Sequence, residues 1–321
     1  MSYNTYGYNP YGPEYLDKYN KRRMTFDYIT KAIKKGYVLE ALVVSCNNDL
    51  ELELTLGNGI VGKMPFSEIE YRTDGETAKP ITAMSRVGRH IKFIPTSIEH
   101  DEETGKWIVS CSRKEAQKVC QEKFISKLVP GDIIDARIVR IENYGVFCDI
   151  GCGIIALLPT NYISVTHVIN PKEFLSNTNR LKVVVKEIQP DGKLQLTHRE
   201  LLGTWKEETS KLKAGTVVCG AILCVEDYGI FVRLSQNLSG LAKPVEKMDL
   251  QAGDVVSVRI DKISESNKKI KLHIINKIDN CEEDIKFQYY IKNGHIDKWV
   301  YYDSDKKKIE TDFTTSNKES T

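Results

Sequence analysis

The sequence lacks the features that mark secreted, membrane-spanning and metal-binding chains. Its first twenty residues contain no apolar run, and nowhere does it approach the ~18 consecutive apolar residues of a membrane-spanning helix. Its eight cysteines form no CxxC pair and have no histidine at metal-ligand spacing, which argues against a zinc site and against a disulfide framework. We therefore expect a cytoplasmic protein with no cofactor, whose cysteines are buried free thiols.

An excess of charge of one sign is also missing. The 46 Lys and Arg residues are balanced by 44 Asp and Glu residues, which leaves a formal net charge of +2. Binding to nucleic acid therefore has to depend on local basic patches, since overall basicity is absent. One such patch covers residues 18–35, where Asp27 is the only acid.

What the sequence does contain is an internal repeat. Glu142-Asn-Tyr-Gly-Val-Phe147 recurs as Glu226-Asp-Tyr-Gly-Ile-Phe231, and Gly131 recurs at the same offset as Gly215. Each copy holds five short strand patterns in ~70 residues, separated by Gly, Asn and Asp turns, which is typical of a small closed OB-type barrel rather than a βαβ unit. A third, degenerate copy begins at Gly36.

The repeats lead to a prediction for the whole chain. Its fold class is mainly β, with three tandem five-stranded OB-fold barrels joined by short helical linkers, preceded by a basic helix and followed by a β-hairpin. The predicted divisions are a flexible Tyr-rich leader and basic helix (1–35), a divergent barrel (36–112), a helical linker (113–128), a second barrel (129–198), a second linker (199–213), a third barrel (214–278), and a hairpin with a polar tail (279–321). The hairpin is predicted from Lys292-Asn293-Gly294, a type I′ turn signal between Phe287–Ile291 and His295–Tyr302, with a frayed tail from about Asp303.

The repeated Tyr-Gly-x-Phe element predicts a surface on which bases stack. Residues three apart in a regular strand point to opposite faces, so Tyr144 and Phe147 share a face only if the strand carries a local defect. A bulge at Gly145 would supply that defect and place both rings on the outside of the barrel. Stacking tolerates any base, because every base has a π-face. The alternative is that these rings are ordinary core residues of strands.

The second repeat resembles a known family. Its run from Gly131-Asp132 through Tyr144-Gly145-Val146-Phe147 to Gly192-Lys193-Leu194-Gln195-Leu196-Thr197 is similar to the S1-type RNA-binding domain, an OB-fold barrel that is repeated in the largest protein of the bacterial small ribosomal subunit. The third repeat (Gly215–Ile275) is similar as well, and the first (Gly36–Ser112) resembles a divergent member.

The resemblance implies which residues bind RNA. In such domains the RNA face consists of two aromatic residues of the second strand, a third-strand residue that is often His, and an acid and a base around the last turn. The residues implied are Tyr144, Phe147 and Lys193 in the second barrel, and Tyr228, Phe231, Lys243, Glu265 and Lys269 in the third. Arg233 and Lys243 are expected near the rings of the third barrel, where cations reach phosphates. Pro159 and Gln189 depart from the family's His and acid.

The first barrel departs further from the family. Leu50 and Glu53 occupy its aromatic positions, so we expect no stacking surface there. The resemblance implies that such divergent N-terminal modules dock on protein partners instead. The predicted docking residues lie on or before the basic helix and combine apolar anchors with cations: Arg22, Arg23, Phe26, Ile29 and Ile33. The alternative is a solvated basic helix that folds back on the first barrel.

These patterns predict a function without catalysis. The leading hypothesis is single-stranded mRNA binding in translation, with the small ribosomal subunit as partner, by a monomer that uses no membrane and no small-molecule substrate. One alternative is a regulatory or RNA-decay protein that does not dock on ribosomes, and another is an accessory subunit of a ribonuclease. An enzyme is not expected, because the six His residues are isolated and the paired acids Glu102 and Glu103 lie in a polar turn.

Overall fold

The computed structural model describes residues 24–57, 59–72, 76–168, 170–175, 178–245, 248–278, 287–304 and 307–314. The predicted leader, the predicted docking residues Arg22 and Arg23, and Cys281 lie outside these ranges. The chain forms two compact units. The first holds residues up to Leu128 together with Asp135–Arg137 and Asp149–Ile155, and the second holds Val129–Ile134, Ile138–Cys148 and the chain from Ala156 on.

Each repeat folds as a closed five-stranded barrel, as the sequence predicts. The first consists of β1 (Leu39–Cys46), β2 (Leu52–Gly57), β3 (Ile60–Met64), β4 (His90–Asp101) and β5 (Lys106–Ser112). The second consists of β6 (Ile133–Glu142), β7 (Gly145–Gly151), β8 (Ile154–Pro159), β9 (Arg180–Ile188) and β10 (Leu194–Thr197). The third consists of β11 (Val217–Glu226), β12 (Gly229–Ser235), β13 (Leu238–Ala242), β14 (Val255–Ser264) and β15 (Lys269–Lys277).

The three barrels share one strand order. In each, the last strand pairs in parallel with the third strand and antiparallel with the fourth, so that the ring runs first, second, third, fifth, fourth. Side chains that alternate along each strand fill the barrel interiors. In β2, for example, Leu52, Leu54 and Leu56 are buried, and the residues between them are exposed. Closure leaves no free strand edge, which is how small barrels of this type avoid pairing with other chains.

Short helices connect and flank the barrels. They are α1 (Phe26–Lys35), α2 (Pro80–Met84), α3 (Arg113–Lys123), α4 (Pro171–Phe174) and α5 (Trp205–Thr209). The basic helix α1 begins where the Thr25 side chain accepts a hydrogen bond from the backbone of Tyr28, and it ends at Gly36, which is left-handed at a φ of 63°. The two predicted linkers contain α3 and α5. Within the described ranges, no helix is long and apolar enough to cross a membrane.

The C-terminal hairpin lies further along the chain than predicted. Its strands are β16 (Lys298–Ser304) and β17 (Lys307–Asp312). Asp303 pairs with Lys308 and Ser304 with Lys307, although fraying is predicted from Asp303. Residues 287–291 do not form a strand, and the N–H of Tyr290 donates to the carbonyl of Leu201 instead. The Asn293-Gly294 turn therefore does not join two paired strands, because the segment before it hydrogen-bonds to the linker after the second barrel.

The hairpin packs on the third barrel. Trp299, Tyr301 and Phe313 are buried in the same hydrophobic cluster as Val232 and Leu272 of that barrel. An isolated two-stranded hairpin is marginal in water, so this burial supplies the stability that the hairpin alone lacks.

The cysteines within the described ranges are free, and their burial follows the prediction only in part. Cys111, Cys120, Cys148 and Cys152 are buried. Cys219 is exposed, since it faces outward from β11, and Cys46 and Cys224 are partly buried.

Candidate nucleic-acid interface

A pair of aromatic rings stands on the outside of the second barrel, and another on the outside of the third. In the second barrel, the ring centroids of Tyr144 and Phe147 are 6.1 Å apart and the ring planes are nearly perpendicular, at 88°. In the third, Tyr228 and Phe231 repeat this arrangement at 6.1 Å and 83°. The tyrosines are 61% and 69% exposed, whereas both phenylalanines are half-buried. Each pair thus consists of an exposed tyrosine ring beside a half-buried phenylalanine ring. Neither pair lies in a hydrophobic core.

In the third barrel the paired rings do not depend on a bulge at the glycine, which the sequence predicts. β12 begins at Gly229, so Tyr228 belongs to the preceding turn, where strand alternation does not apply. Between Gly229 and Phe231 the pairing with β11 is regular, and the register shift lies on β11 at Leu223. The predicted glycine bulge is therefore wrong for the third barrel, although the two rings do share one face.

The glycine of this element is needed for a close approach of strands. A β-carbon on Gly229 would lie 2.7 Å from Leu241 Cδ1 and 2.9 Å from the carbonyl oxygen of Ala242. A β-carbon on Gly145 would lie 2.8 Å from the carbonyl oxygen of Leu158. A larger residue at either position would push the aromatic strand away from its neighbour.

A row of paired residues runs from Phe231 across the outside of the third barrel. Phe231 pairs with Leu241 on β13, and Leu241 pairs in turn with Lys271 on β15. Lys271 pairs with Lys262 on β14, and both lysines are exposed. These two lysines are not among the residues predicted from the sequence, although the alternation of Lys269-Ile270-Lys271-Leu272 indicates that Lys271 faces outward.

The structure places three predicted ligands of the third barrel at the surface. Lys243 is exposed and directly follows β13, beside the start of β12 where Tyr228 stands. Lys269 opens β15, and Glu265 lies in the turn before it. Both of these side chains are exposed as well.

Two other predicted cations have partners within the protein. The guanidinium carbon of Arg233 lies 4.6 Å from the centroid of the Phe174 ring on α4. Lys193 Nζ lies 2.6 Å from Asp191 Oδ2, and the hydrogen bond from Lys193 lowers the pKa of Asp191 below its usual range. RNA that reaches either cation has to compete with these contacts.

A cation that the sequence analysis missed covers a ring of the second barrel. The guanidinium carbon of Arg140 lies 4.7 Å from the centroid of the Phe147 ring, a cation–π contact. Its Nε also lies 3.2 Å from Glu142 Oε1. The equivalent residue of the third barrel is Cys224, which pairs with Phe231 and carries no charge to place over that ring.

The first barrel has a polar row where the other two carry phenylalanine. Glu53 on β2 pairs with Lys63 on β3, and Lys63 pairs with Ser110 on β5. The hydroxyl of Ser110 is hydrogen-bonded to that of Ser97 at 3.0 Å. Leu50, at the tyrosine position, has a φ of 62° and packs against the hydrophobic cluster. This row contains no aromatic ring, in agreement with the prediction.

The basic helix α1 folds back on the first barrel. Ile29 is fully buried and Ile33 partly buried, both in the hydrophobic cluster of that barrel. Phe26 is 41% exposed, and its ring centroid lies 4.6 Å from that of Trp107 on β5. The prediction that Ile29 anchors a partner is therefore wrong, because its own barrel already covers it. Phe26 remains accessible.

Comparison with known proteins finds one domain family and several relatives that are similar to parts of this chain. Residues 127–199 match the family described as the S1 RNA binding domain. The small ribosomal subunit protein bS1 of Staphylococcus epidermidis is 29% identical over 190 residues, which are 55% of this chain and 48% of that protein. The 4-hydroxy-3-methylbut-2-enyl diphosphate reductase of Clostridium acetobutylicum is 29% identical over 174 residues, 50% of this chain and 26% of that enzyme. A multidomain protein with nucleic acid binding domains from Streptococcus pneumoniae matches in structure with a TM-score of 0.24 and 14% identity, over 75% of this chain and 73% of that one.

The family match coincides with the second barrel and includes both of its paired exterior rings, Tyr144 and Phe147. The chain spans about half the length of the bS1 relatives it matches. We conclude that the second barrel matches the S1 RNA binding domain family, in a chain of three OB-like barrels that is similar to bacterial small ribosomal subunit protein bS1.

Proposed function

We propose that this protein binds single-stranded RNA without catalysing a reaction, and that it does so in translation. The observation that carries the proposal is the repeated aromatic pair, Tyr144 with Phe147 and Tyr228 with Phe231. Exposed rings on OB-type barrels serve as platforms on which bases stack, and each stacked base contributes ~1–3 kcal/mol. The match of residues 127–199 to the S1 RNA binding domain supports the same conclusion.

The platforms favour unpaired RNA of relaxed sequence. A base stacks on a protein ring only after it leaves its own helix, and neither stacking nor phosphate contact reads base edges. We propose mRNA as the ligand and the small ribosomal subunit as the partner, since the similar proteins are named as proteins of that subunit. In this proposal the protein acts in the cytoplasm as a monomer, with no cofactor, membrane or small-molecule substrate.

A protein of RNA regulation or decay that does not dock on ribosomes is the second candidate function. The burial of Ile29 favours it, because one of the residues predicted to anchor a ribosomal partner is covered by the first barrel. Catalysis has weaker support, since the similar reductase is matched over only 26% of its length.

Fluorescence anisotropy with a labelled oligo(U) of about 12 nucleotides tests RNA binding. Phe147→Ala and Phe231→Ala should each weaken the affinity by about 5- to 150-fold, the equivalent of ~1–3 kcal/mol, and the double variant by more. Phe26→Ala is the matched control, because Phe26 is a partly exposed phenylalanine on α1, outside both pairs. It should leave the affinity unchanged.

Two further measurements separate the alternatives. Thermal melts of the same variants distinguish platform rings from core rings, because removing a core phenylalanine costs ~3–5 kcal/mol of stability. A folded double variant that binds oligo(U) as well as the wild type would contradict the proposal. Sedimentation of the whole chain through sucrose gradients distinguishes translation from regulation, since a translation protein should migrate with small subunits.

A further inference from the structure

The outer faces of the second and third barrels carry different charges at equivalent positions. The repeat relates Leu157 of β8 to Leu241 of β13, and each leucine pairs in parallel with the last strand of its barrel. The paired residue is Gln195 in the second barrel and Lys271 in the third. On the last strand, the row that starts at the platform phenylalanine therefore carries a neutral residue in the second barrel and a cation in the third.

The difference in charge between the two barrels is larger at the fourth strand, which is the next strand of the row. Gln195 pairs with Glu187 on β9, whereas Lys271 pairs with Lys262 on β14. The Glu187 side chain is 44% exposed, and its Oε2 lies 3.3 Å from Lys186 Nζ. At equivalent positions, the third barrel thus presents two ammonium groups where the second presents an amide and a carboxylate.

Lys262 and Lys271 are placed to receive phosphates. Both are exposed, and the described part of the chain shows neither of them in an ion pair. Neighbouring strands of a sheet lie ~4.8 Å apart, so the two lysines stand roughly 10 to 15 Å along the row from Phe231. When a base stacks on Phe231, the phosphates of the neighbouring nucleotides can contact these two ammonium groups. They need not displace a protein carboxylate, because neither lysine is in an ion pair within the described part of the chain.

Two other cations of the third barrel have no basic equivalent in the second. By the repeat, Lys243 corresponds to Pro159 and Arg233 to Asp149. Lys269 does have a basic equivalent, Lys193, but that lysine is paired with Asp191.

We propose that the two barrels divide the work of RNA binding. The third barrel contacts phosphates through Lys262 and Lys271, and the second holds bases mainly by stacking. The inference rests on the proposed RNA binding and adds to it a phosphate-binding pair outside the aromatic platform. Phosphate contacts to single strands weaken with salt by a logarithmic slope of about 0.7 per contact. The contribution of the third barrel therefore falls as salt rises, while that of the second persists.

The test measures the affinity of the whole chain for labelled oligo(U) of about 12 nucleotides, at KCl concentrations from about 50 to 200 mM. K262Q/K271Q removes both ammonium groups from the third barrel. E187K/Q195K places two at the equivalent positions of the second. K114Q/K118Q is the matched control, because it removes the same charge from two exposed lysines of α3.

We expect K262Q/K271Q to lower the salt slope by about 1.4, so that its affinity falls about seven-fold less than that of the wild type over this range. E187K/Q195K should raise the slope by a similar amount, and the control should leave it unchanged. A slope that stays at the wild-type value in K262Q/K271Q, while Phe231→Ala still weakens binding, overturns the division of work and leaves the proposed function standing.

Two other outcomes are decisive as well. Failure of the wild type to bind oligo(U) at every salt concentration overturns both the inference and the proposed function. If a thermal melt shows that K262Q/K271Q is unfolded, E187K/Q195K decides alone, because an unchanged slope in that folded variant overturns the division of work.

Discussion

Acid should destabilise the second compact unit through His198. This side chain is completely buried, with Nδ1 3.0 Å from the carbonyl oxygen of Ile163 and Nε2 3.2 Å from the hydroxyl of Tyr289. The backbone N–H of Lys182 donates to the same hydroxyl at 3.2 Å. A neutral imidazole ring satisfies both of these hydrogen bonds, because Nδ1–H donates to the carbonyl oxygen of Ile163 and Nε2 accepts from the hydroxyl of Tyr289. Protonation would add a second N–H facing the hydroxyl and a positive charge away from water.

The size of the effect follows from the pKa of His198. Burial lowers this pKa from 6.5 to about 4. Because the unfolded chain has the higher pKa, it takes up the proton first as the pH falls. The contribution of His198 to stability is therefore full above pH 6.5 and is lost between pH 6.5 and about 4. The complete loss amounts to ~3 kcal/mol, of which about 2 kcal/mol has gone by pH 5.

Urea denaturation between about pH 7.5 and 5 measures this loss as a change in the free energy of unfolding. His198→Gln is the reference variant, because its side chain does not titrate. The advantage of the wild type over this variant should shrink by about 2 kcal/mol on going from pH 7.5 to 5. His167→Gln, at an exposed histidine, is the matched control and should keep the wild-type pH profile.

Another group titrates in the opposite sense and has to be separated from His198. Burial raises the pKa of Glu40, in the first compact unit, to about 7. Its contribution to stability is present below pH 4.5 and is lost as the pH rises through 7. The difference between the wild type and His198→Gln cancels this contribution, because both proteins retain Glu40. Parallel pH profiles for these two proteins would refute the argument from the buried histidine.

Other substitutions have outcomes that depend on single contacts. Gly229→Ala should cost ~1–3 kcal/mol of stability and weaken RNA binding, since its β-carbon would lie 2.7 Å from Leu241 Cδ1; denaturation and anisotropy that both match the wild type would contradict this. Phe313→Ala should cost ~3–5 kcal/mol, because Phe313 is 2% exposed, whereas Phe26→Ala, at 41% exposure, should cost less than about 1 kcal/mol; equal melting temperatures would count against it. Lys243→Ala should lower the salt slope of RNA binding by about 0.7 or less, which a salt titration checks.

The barrels and their paired exterior rings could be predicted because the evidence for them is local. Each strand pattern occupies a few residues, and the Tyr-Gly-x-Phe element occurs twice at one offset, so the repeat itself identifies Phe147 and Phe231 as equivalent. The same alignment places Glu53 at the ring position of the first barrel, and the pairing of Glu53 with Lys63 agrees with it. A pattern of this kind does not reveal why glycine is required, since the close contact at Gly229 is with a different strand.

The charged residues around the rings were harder to predict, because they belong to strands far apart in the sequence. Lys271 and Lys262 join the row of Phe231 only through the pairing of β13 with β15 and of β15 with β14. Arg140 covers Phe147 from a separate strand, β6. The register of these pairs is set when the barrel closes, and no single strand pattern contains it.

The sequence by itself determined which segments form barrels and which of them carry rings, since alternation and turn residues act over a few positions. The tertiary structure alone decided where the remaining apolar surfaces are buried. Ile29 of α1 and Phe313 beside β17 are each buried in a hydrophobic cluster of their own chain. An amphipathic segment gains the same free energy from burial against its own barrel as against a partner, so its residues alone do not say which of the two covers it.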